Sequence, residues 1–203
     1  NLSSEPLFAD NGSEGGIYVN CFIDANEKGK VSGNGWPSFI NCTIVNFTDS
    51  AYRCGGNGEA VLRNCIFVPA PEADEAKVVD FDSWPFTAWG TSQILIEHCR
   101  VVGLQQNRSN GNGASLIFGA GNITSDPLFV DVANGDYRLS DSSPCIGAGK
   151  GGDYVPTSDI NGNPRGLLVD IGAYENPLDP PGKRIAQIAP IFLGNVQGLA
   201  HDF

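Results

Sequence analysis

The sequence predicts an all-β chain, a parallel β-helix of about five coils with an extended C-terminal arm, and three observations carry that expectation. First, four windows place an asparagine or histidine before a cysteine with apolar residues on alternate sides: 18–23, 39–44, 62–67 and 96–101. Second, their cysteines, Cys21, Cys42, Cys65 and Cys99, lie 21, 23 and 34 residues apart. A period in the twenties marks a solenoid, in which one repeat makes one turn and only stacking buries its apolar face. Third, the alternation inside a window has period two: Cys42 and Ile44 share one face and Thr43 the other, the mark of a strand. A strand–turn–strand unit of 21–23 residues leaves no room for a helix.

The elements follow in order. Residues 1–10 are an N-terminal segment and candidate junction strand, 11–175 the β-helix with a cap region from 122, and 176–203 a proline-rich spacer and apolar arm. Gly33-Asn34-Gly35 and Gly55-Gly56-Asn57-Gly58 read as coil corners, where glycine and asparagine tolerate positive φ. Asn20, Asn41 and Asn64 read as a ladder bonding up the stack, with His98 a structural histidine in the fourth window. The 34-residue gap holds an excursion rich in proline and acid, 69–75, and then an aromatic stretch containing Trp84 and Trp89. Those tryptophans are candidates for stacking on a sugar, or for packing beneath the long loop. A second repeat links residues 1–10 to 122–131, identical at six of ten positions, with Pro6-Leu7-Phe8 matching Pro127-Leu128-Phe129.

Composition narrows the function classes. A net charge of −11 argues against nucleic acid, whose phosphates need lysine and arginine. No apolar run approaches the length that spans a bilayer, so no membrane span is expected. Methionine is missing even from position 1, which reads as a processed product. Stacked cysteines put their Cβ atoms about 4.8 Å apart, too far for a disulfide, so several free thiols are expected. Cys54 and Cys145 stand outside the ladder. Asn-X-Ser/Thr occurs at Asn1, Asn11, Asn41, Asn46, Asn107 and Asn122, against roughly two by chance, and predicts a glycosylated chain.

Chemistry-bearing patterns are sparse. Asp159-Ile160-Asn161-Gly162-Asn163 opens like a calcium loop but has Asp170 where the twelfth-position glutamate belongs. It reads first as an Asx-rich turn, with Asp153, Asp159, Asn161 and Asp170 the metal candidates if calcium gathers there. No other cofactor is expected. Asp80 and Asp82 share a strand face and could serve as a glycosidase pair, yet alternating acids also suit an exposed strand. A triad has only His98 and His201 to draw on, so no catalytic constellation stands out.

From residue 125 five ordered blocks carry a resemblance. They are 125–131 (Ser-Asp-Pro-Leu-Phe-Val-Asp), 135–139 (Gly-Asp-Tyr-Arg-Leu), 143–149 (Ser-Pro-Cys-Ile-Gly-Ala-Gly), 159–165 (Asp-Ile-Asn-Gly-Asn-Pro-Arg) and 170–175 (Asp-Ile-Gly-Ala-Tyr-Glu). The region resembles the C-terminal end of secreted bacterial β-helix proteins of the choice-of-anchor Q type. That resemblance implies a right-handed β-helix and a secreted, extracellular or cell-surface place, and it brings no catalytic residues. Two departures stand out: fewer coils than is usual, and a run past the Ala-Tyr-Glu block into Ile185, Ile188, Ile191, Phe192 and Leu193. An apolar extended arm is ordered by folding back or by docking on a neighbour. The expected function is therefore a structural or adhesive protein that self-assembles into a filament or surface layer. Its assembly contacts would be Pro6, Leu7 and Phe8 together with the five apolar arm residues. The alternative is a glycan-binding or polysaccharide-cleaving module built on Trp84 and Trp89.

Overall fold

Period-two alternation becomes strands throughout the computed structural model, which describes residues 15–25, 36–48, 51–54, 56–71, 73, 86–88, 90–102, 107–109 and 113–178. The chain lays down β1 (Ile17–Val19) and β2 (Phe22–Asp24), then β3 (Ser38–Ile40), β4 (Thr43–Phe47) and β5 (Tyr52–Cys54). It continues through β6 (Glu59–Arg63), β7 (Ile66–Pro69) and β8 (Phe86–Ala88) to β9 (Gln93–Glu97), β10 (Arg108–Ser109) and β11 (Ser115–Phe118). After β12 (Phe129–Asp131), a 3-10 turn (Val132–Asn134) and β13 (Asp136–Leu139), residues 140–178 carry no strand. Among the described residues there is no α-helix.

Strands β1, β3, β6, β9 and β11 stack in parallel in one sheet, with β10 added antiparallel at the far edge. Strands β2, β4 and β7 form a second parallel sheet, which Arg100 and Ile123 continue as single bridges. A third parallel pair joins β5 to β8. Successive strands thus visit the same sheets in the same order. Register is held by columns of like residues: Tyr18, Phe39, Leu62, Ile96 and Phe118 stand above one another in the first sheet. Ile23, Ile44 and Phe67 do so in the second. These columns meet in one buried cluster, and each fully buried large apolar side chain stabilises it by about 1.5–3 kcal/mol.

The four ladder cysteines stand in a column in that interior. The Cys42 thiol donates to Tyr18 O at 3.4 Å, Cys65 to Phe39 O at 3.3 Å and Cys99 to Leu62 O at 3.4 Å, each reaching a strand of the first sheet, β1, β3 and β6 in turn. Cys21, Cys42, Cys65, Cys99 and Cys145 are all free thiols. Burial pushes Cys42 and Cys65 far up from the usual thiol range, and Cys145 to about 12, so these are packing groups rather than nucleophiles.

A second core lies outside the second sheet. Thr43, Ile66 and Arg100 point outward from it yet are buried, because residues 122–176 cover them. Leu139, Cys145, Ile146 and Ile171 pack on Ile66, and Tyr137 stands 4.9 Å from the ring of Phe22. This is the double-sided burial that parallel sheets require. No helix of the described residues is long and apolar enough to cross a membrane.

Candidate functional site

The most constructed region is the seam where residues 145–176 lie along the corner between the first two sheets. At that corner Asn20, Asn41, Asn64 and His98 all adopt the left-handed conformation, with φ of 53, 50, 53 and 50°. Asparagine tolerates that region because its short amide bonds locally, whereas most L-residues are strained there by about 1–2 kcal/mol. The four do not form the simple ladder expected of them. One hydrogen bond runs along the column, Asn64 Nδ2 donating to Asn41 Oδ1 at 3.3 Å, and the remaining contacts turn outward to the C-terminal segment. Asn20 donates to Ser158 O at 2.6 Å, Asn41 to Asp170 O at 3.2 Å and Asn64 to Lys150 O at 2.9 Å. His98 Nδ1 lies 3.0 Å from Ala148 O. The segment therefore clasps four successive rungs.

Two charged groups fasten this clasp. Glu97 of β9 meets Arg63 of β6 and Lys150 Nζ at 3.0 Å, and the Arg63 guanidinium lies 4.1 Å from the centre of the Tyr154 ring. Burial opposes the charge on Glu97, but Lys150 and Arg63 outweigh it and hold the carboxyl below its ordinary value. Deeper in, Arg165 NH1 donates to Glu175 Oε2 at 2.7 Å, with both side chains almost fully buried. The same guanidinium reaches Asn20 Oδ1 at 2.9 Å and Gly172 O at 3.0 Å.

The metal candidates fall around this seam. Asp159 receives Asn161 N and Asn163 N on Oδ1, each at 2.8 Å, and Glu175 N at 2.9 Å with Asn163 Nδ2 at 3.0 Å on Oδ2. Burial raises its pKa, yet these donors win and hold it below the usual carboxylate value. Asp170 accepts Gly147 N on Oδ1 and Asn176 N on Oδ2, each at 2.7 Å, while burial and then Glu175 raise it from 3.8 to about 7. Asp153 and Asn161 are exposed. Backbone N–H groups fill the carboxylate positions a cation would need, which is the Asx-turn reading. Among the described residues no three acidic, histidine or cysteine side chains gather as metal ligands.

Among the glycosylation candidates the fold opposes Asn41, whereas Asn46 and Asn122 are partly exposed with their side-chain amides hydrogen-bonded. Asn41 is fully buried and bonded to Asp170 O, so it cannot carry a glycan in this fold. Asn46 is half-buried and gives its amide to Asp24 Oδ1 at 3.0 Å and to the Tyr137 hydroxyl at 3.3 Å. Asn122 spends its amide on Ile96 O at 2.9 Å and Gly119 O at 3.0 Å. Only Asn107, among the described residues, offers an exposed side chain at such a motif. Asn1, Asn11, Pro6, Leu7 and Phe8 lie outside the described residues, as do Asp80, Asp82, Trp84 and Trp89 and the arm from Ile185 to Leu193 with His201.

Beside the clasp runs a groove of about 870 Å³ that sequence reasoning missed, because its walls come from segments far apart in the chain. Val130, Leu167, Leu168 and Leu178 line it, and all four are exposed, Leu167 completely. Arg138 at its edge is held by Asp136 at 2.5 Å, and that pairing lowers Asp136 to about 2. No protein-family model, curated protein or solved structure matches this chain.

Proposed function

We propose that the chain is an extracellular structural or adhesive module, a right-handed parallel β-helix that self-associates end to end into a filament or surface layer. The observation that carries this reading is the edge strand β1. Among the described residues it pairs on one side only, with β3, and it presents Ile17 and Val19 at 69% and 37% exposure. An apolar edge strand is a template for a further strand, and soluble proteins normally blunt such edges with charge. The other end of the same sheet differs, since β10 there runs antiparallel. Unlike ends meet head to tail, and such contacts grow fibres when the rotation does not close. Strand–crossover–strand connections are right-handed in about 98% of cases, which supports the hand. The resemblance of blocks 125–175 to exported bacterial proteins supports the location.

The test replaces Ile17 and Val19 with lysine in the full chain. Both side chains are exposed, so the fold is expected to persist by circular dichroism. Sedimentation of the native chain is expected to show growth with concentration, with filaments in negative stain, and the I17K/V19K variant is expected to stay monomeric. A native chain that remains monomeric at high concentration and forms no filaments overturns the reading.

A further inference from the structure

We infer that the outer face of the first sheet is a lateral interface, on which a second copy of this chain lies face to face with its rungs climbing in the same direction. Tyr18, Phe39, Leu62 and Ile96 occupy the inner face of that sheet, so the residues on either side of each point outward. Register aligns Ile17, Ser38, Val61, Leu95 and Ile117 in one outward column, one residue per rung. Ile17 and Ile117 are 69% and 37% exposed, and Val61 and Leu95 are half-buried. Ser38, the polar member, accepts Val61 N on its Oγ at 2.9 Å, which ties its oxygen into the sheet. Five rungs at a spacing of about 4.8 Å make an aliphatic stripe about 19 Å tall. Parallel sheets are ordinarily covered on both faces. Residues 122–176 cover the second sheet and leave this column of the first partly exposed.

Charge selects both the occupant and its orientation. On the central rung Glu59 and Arg63 flank Val61 two residues away on either side, about 7 Å each. The Glu59 column continues as Gln93 and Ser115, whereas the Arg63 column continues as Glu97, to which Lys150 brings a second cation. One rim of the stripe is therefore acidic, and the other sets Arg63 and Lys150 against the single carboxylate of Glu97. A twofold axis along the stripe lays the acidic rim of each copy over the basic rim of the other, with Val61 on Val61 and Leu95 on Leu95. Turning the partner end for end instead sets Glu59 on Glu59 and Arg63 on Arg63, which like charge opposes. The stripe is smaller than a standard interface, so two lone chains are held weakly, and copies joined in a row gain by avidity. The inference stands without end-to-end association. Where both hold, the product is a filament of double width. Ile17 belongs to both contacts, so the test leaves it in place.

The experiment is cross-linking of the full chain with a short bismaleimide, which bridges two thiols across the roughly 10 Å between packed sheets. The unsubstituted chain, whose Cys21 is half-buried, supplies the blank, and peptide mass maps each junction. Ile117→Cys is expected to give covalent dimers joined at 117 in both copies, with a yield that rises from roughly 2 to 200 μM. Residue 117 of a partner turned end for end, or of a copy stacked on the end of the sheet, lies about 19 Å or more away. Glu59→Cys is expected to give no dimer joined at 59, because the two residues sit over opposite rims. Val61→Lys added to the Ile117→Cys chain is expected to abolish the product with circular dichroism unchanged. Glu59→Arg, at an exposed position, is expected to lower its yield at least about threefold, and high salt to act in the same direction. Dimers joined at 59 overturn the parallel orientation and the inference with it. A 117–117 product that survives Val61→Lys, or that is missing at roughly 200 μM, overturns it outright.

Discussion

Arg165 joins the cap to the first rung, since its guanidinium meets Glu175 Oε2 at 2.7 Å and Asn20 Oδ1 at 2.9 Å inside a nearly closed interior. Removing one partner of a buried ion pair strands the other charge, at a cost of about 3–5 kcal/mol. Arg165→Met is therefore expected to lower the urea-unfolding free energy by that amount, and adding Glu175→Leu to recover part of it. Asp170 makes a separate, pH-dependent contribution. Its folded pKa of about 7 exceeds the ordinary 3.8, so the folded chain holds a proton that the unfolded chain has released between those values. Stability is then expected to fall as pH rises from 4 to 7, by at most about 1.4 kcal/mol per pH unit from this group. Glu175, also raised by burial, acts in the same direction, whereas the loss from Asp159, whose pKa is lowered, belongs to more acidic pH. Chemical denaturation at pH 5 and pH 8 checks the sign, and Asp170→Asn is expected to flatten the dependence. The sequence marked Asp159 and Asp170 and read the first as part of an Asx-rich turn, without showing which groups would satisfy either. Spacing along the chain shows where oxygens cluster, not which backbone N–H groups from Glu175 or Gly147 will arrive to satisfy them.

Strands were legible because their side chains alternate, and the columns through Phe39 and Ile44 are what that alternation predicts. The corners were half legible. Asparagine was rightly placed at the turns, but its second task, holding residues 145–176, leaves no local trace because its partners lie 86 to 138 residues away. The same preference bears on the glycosylation reading, since Asn41, Asn46 and Asn122 donate their side-chain amides to hydrogen bonds within the fold, the first two in the left-handed conformation. Asn41→Gly keeps access to φ of 50° and loses only the bonds, whereas Asn41→Ala loses both. Alanine there is expected to destabilise by about 2–4 kcal/mol and glycine by about half of that, as measured in urea. Gly172 tests the opposite side of the seam. At φ of 108°, a Cβ there would stand 2.7 Å from Ile66 Cδ1 and 2.9 Å from Thr43 Oγ1. Gly172→Ala is expected to lift the clasp from the second sheet and lower the melting temperature, with about 1–3 kcal/mol lost to overpacking beyond the backbone strain.

A stacked array ordinarily draws its stability from neighbouring repeats, so its terminal rung frays independently of the middle. This chain carries a brace across that pattern. Ala148 holds the fourth window, Lys150 the third, Asp170 the second and Ser158 the first, all from one segment. The brace lowers the freedom of the first rung without any change to the strands themselves, and its loss should be felt there before anywhere else. Arg165→Met removes one of the two links at Asn20, keeping its bond to Ser158 O and leaving the Glu97–Lys150 contact between β9 and the segment in place. In native-state hydrogen exchange the amides of β1 and β2 are expected to accelerate by on the order of a hundredfold in that variant, with β6 and β9 changing far less. Equal acceleration in every rung would mean that Arg165 supports only the global equilibrium, and that the rungs already unfold as one unit without the brace. A graded response, steepest at β1, places the seam's work where its contacts are: at the end whose apolar edge is proposed to meet the next molecule. An end kept ordered by the brace loses less entropy on pairing than a frayed one, so weakening Arg165 is expected to weaken association as well, even though the residue lies away from Ile17 and Val19 in sequence.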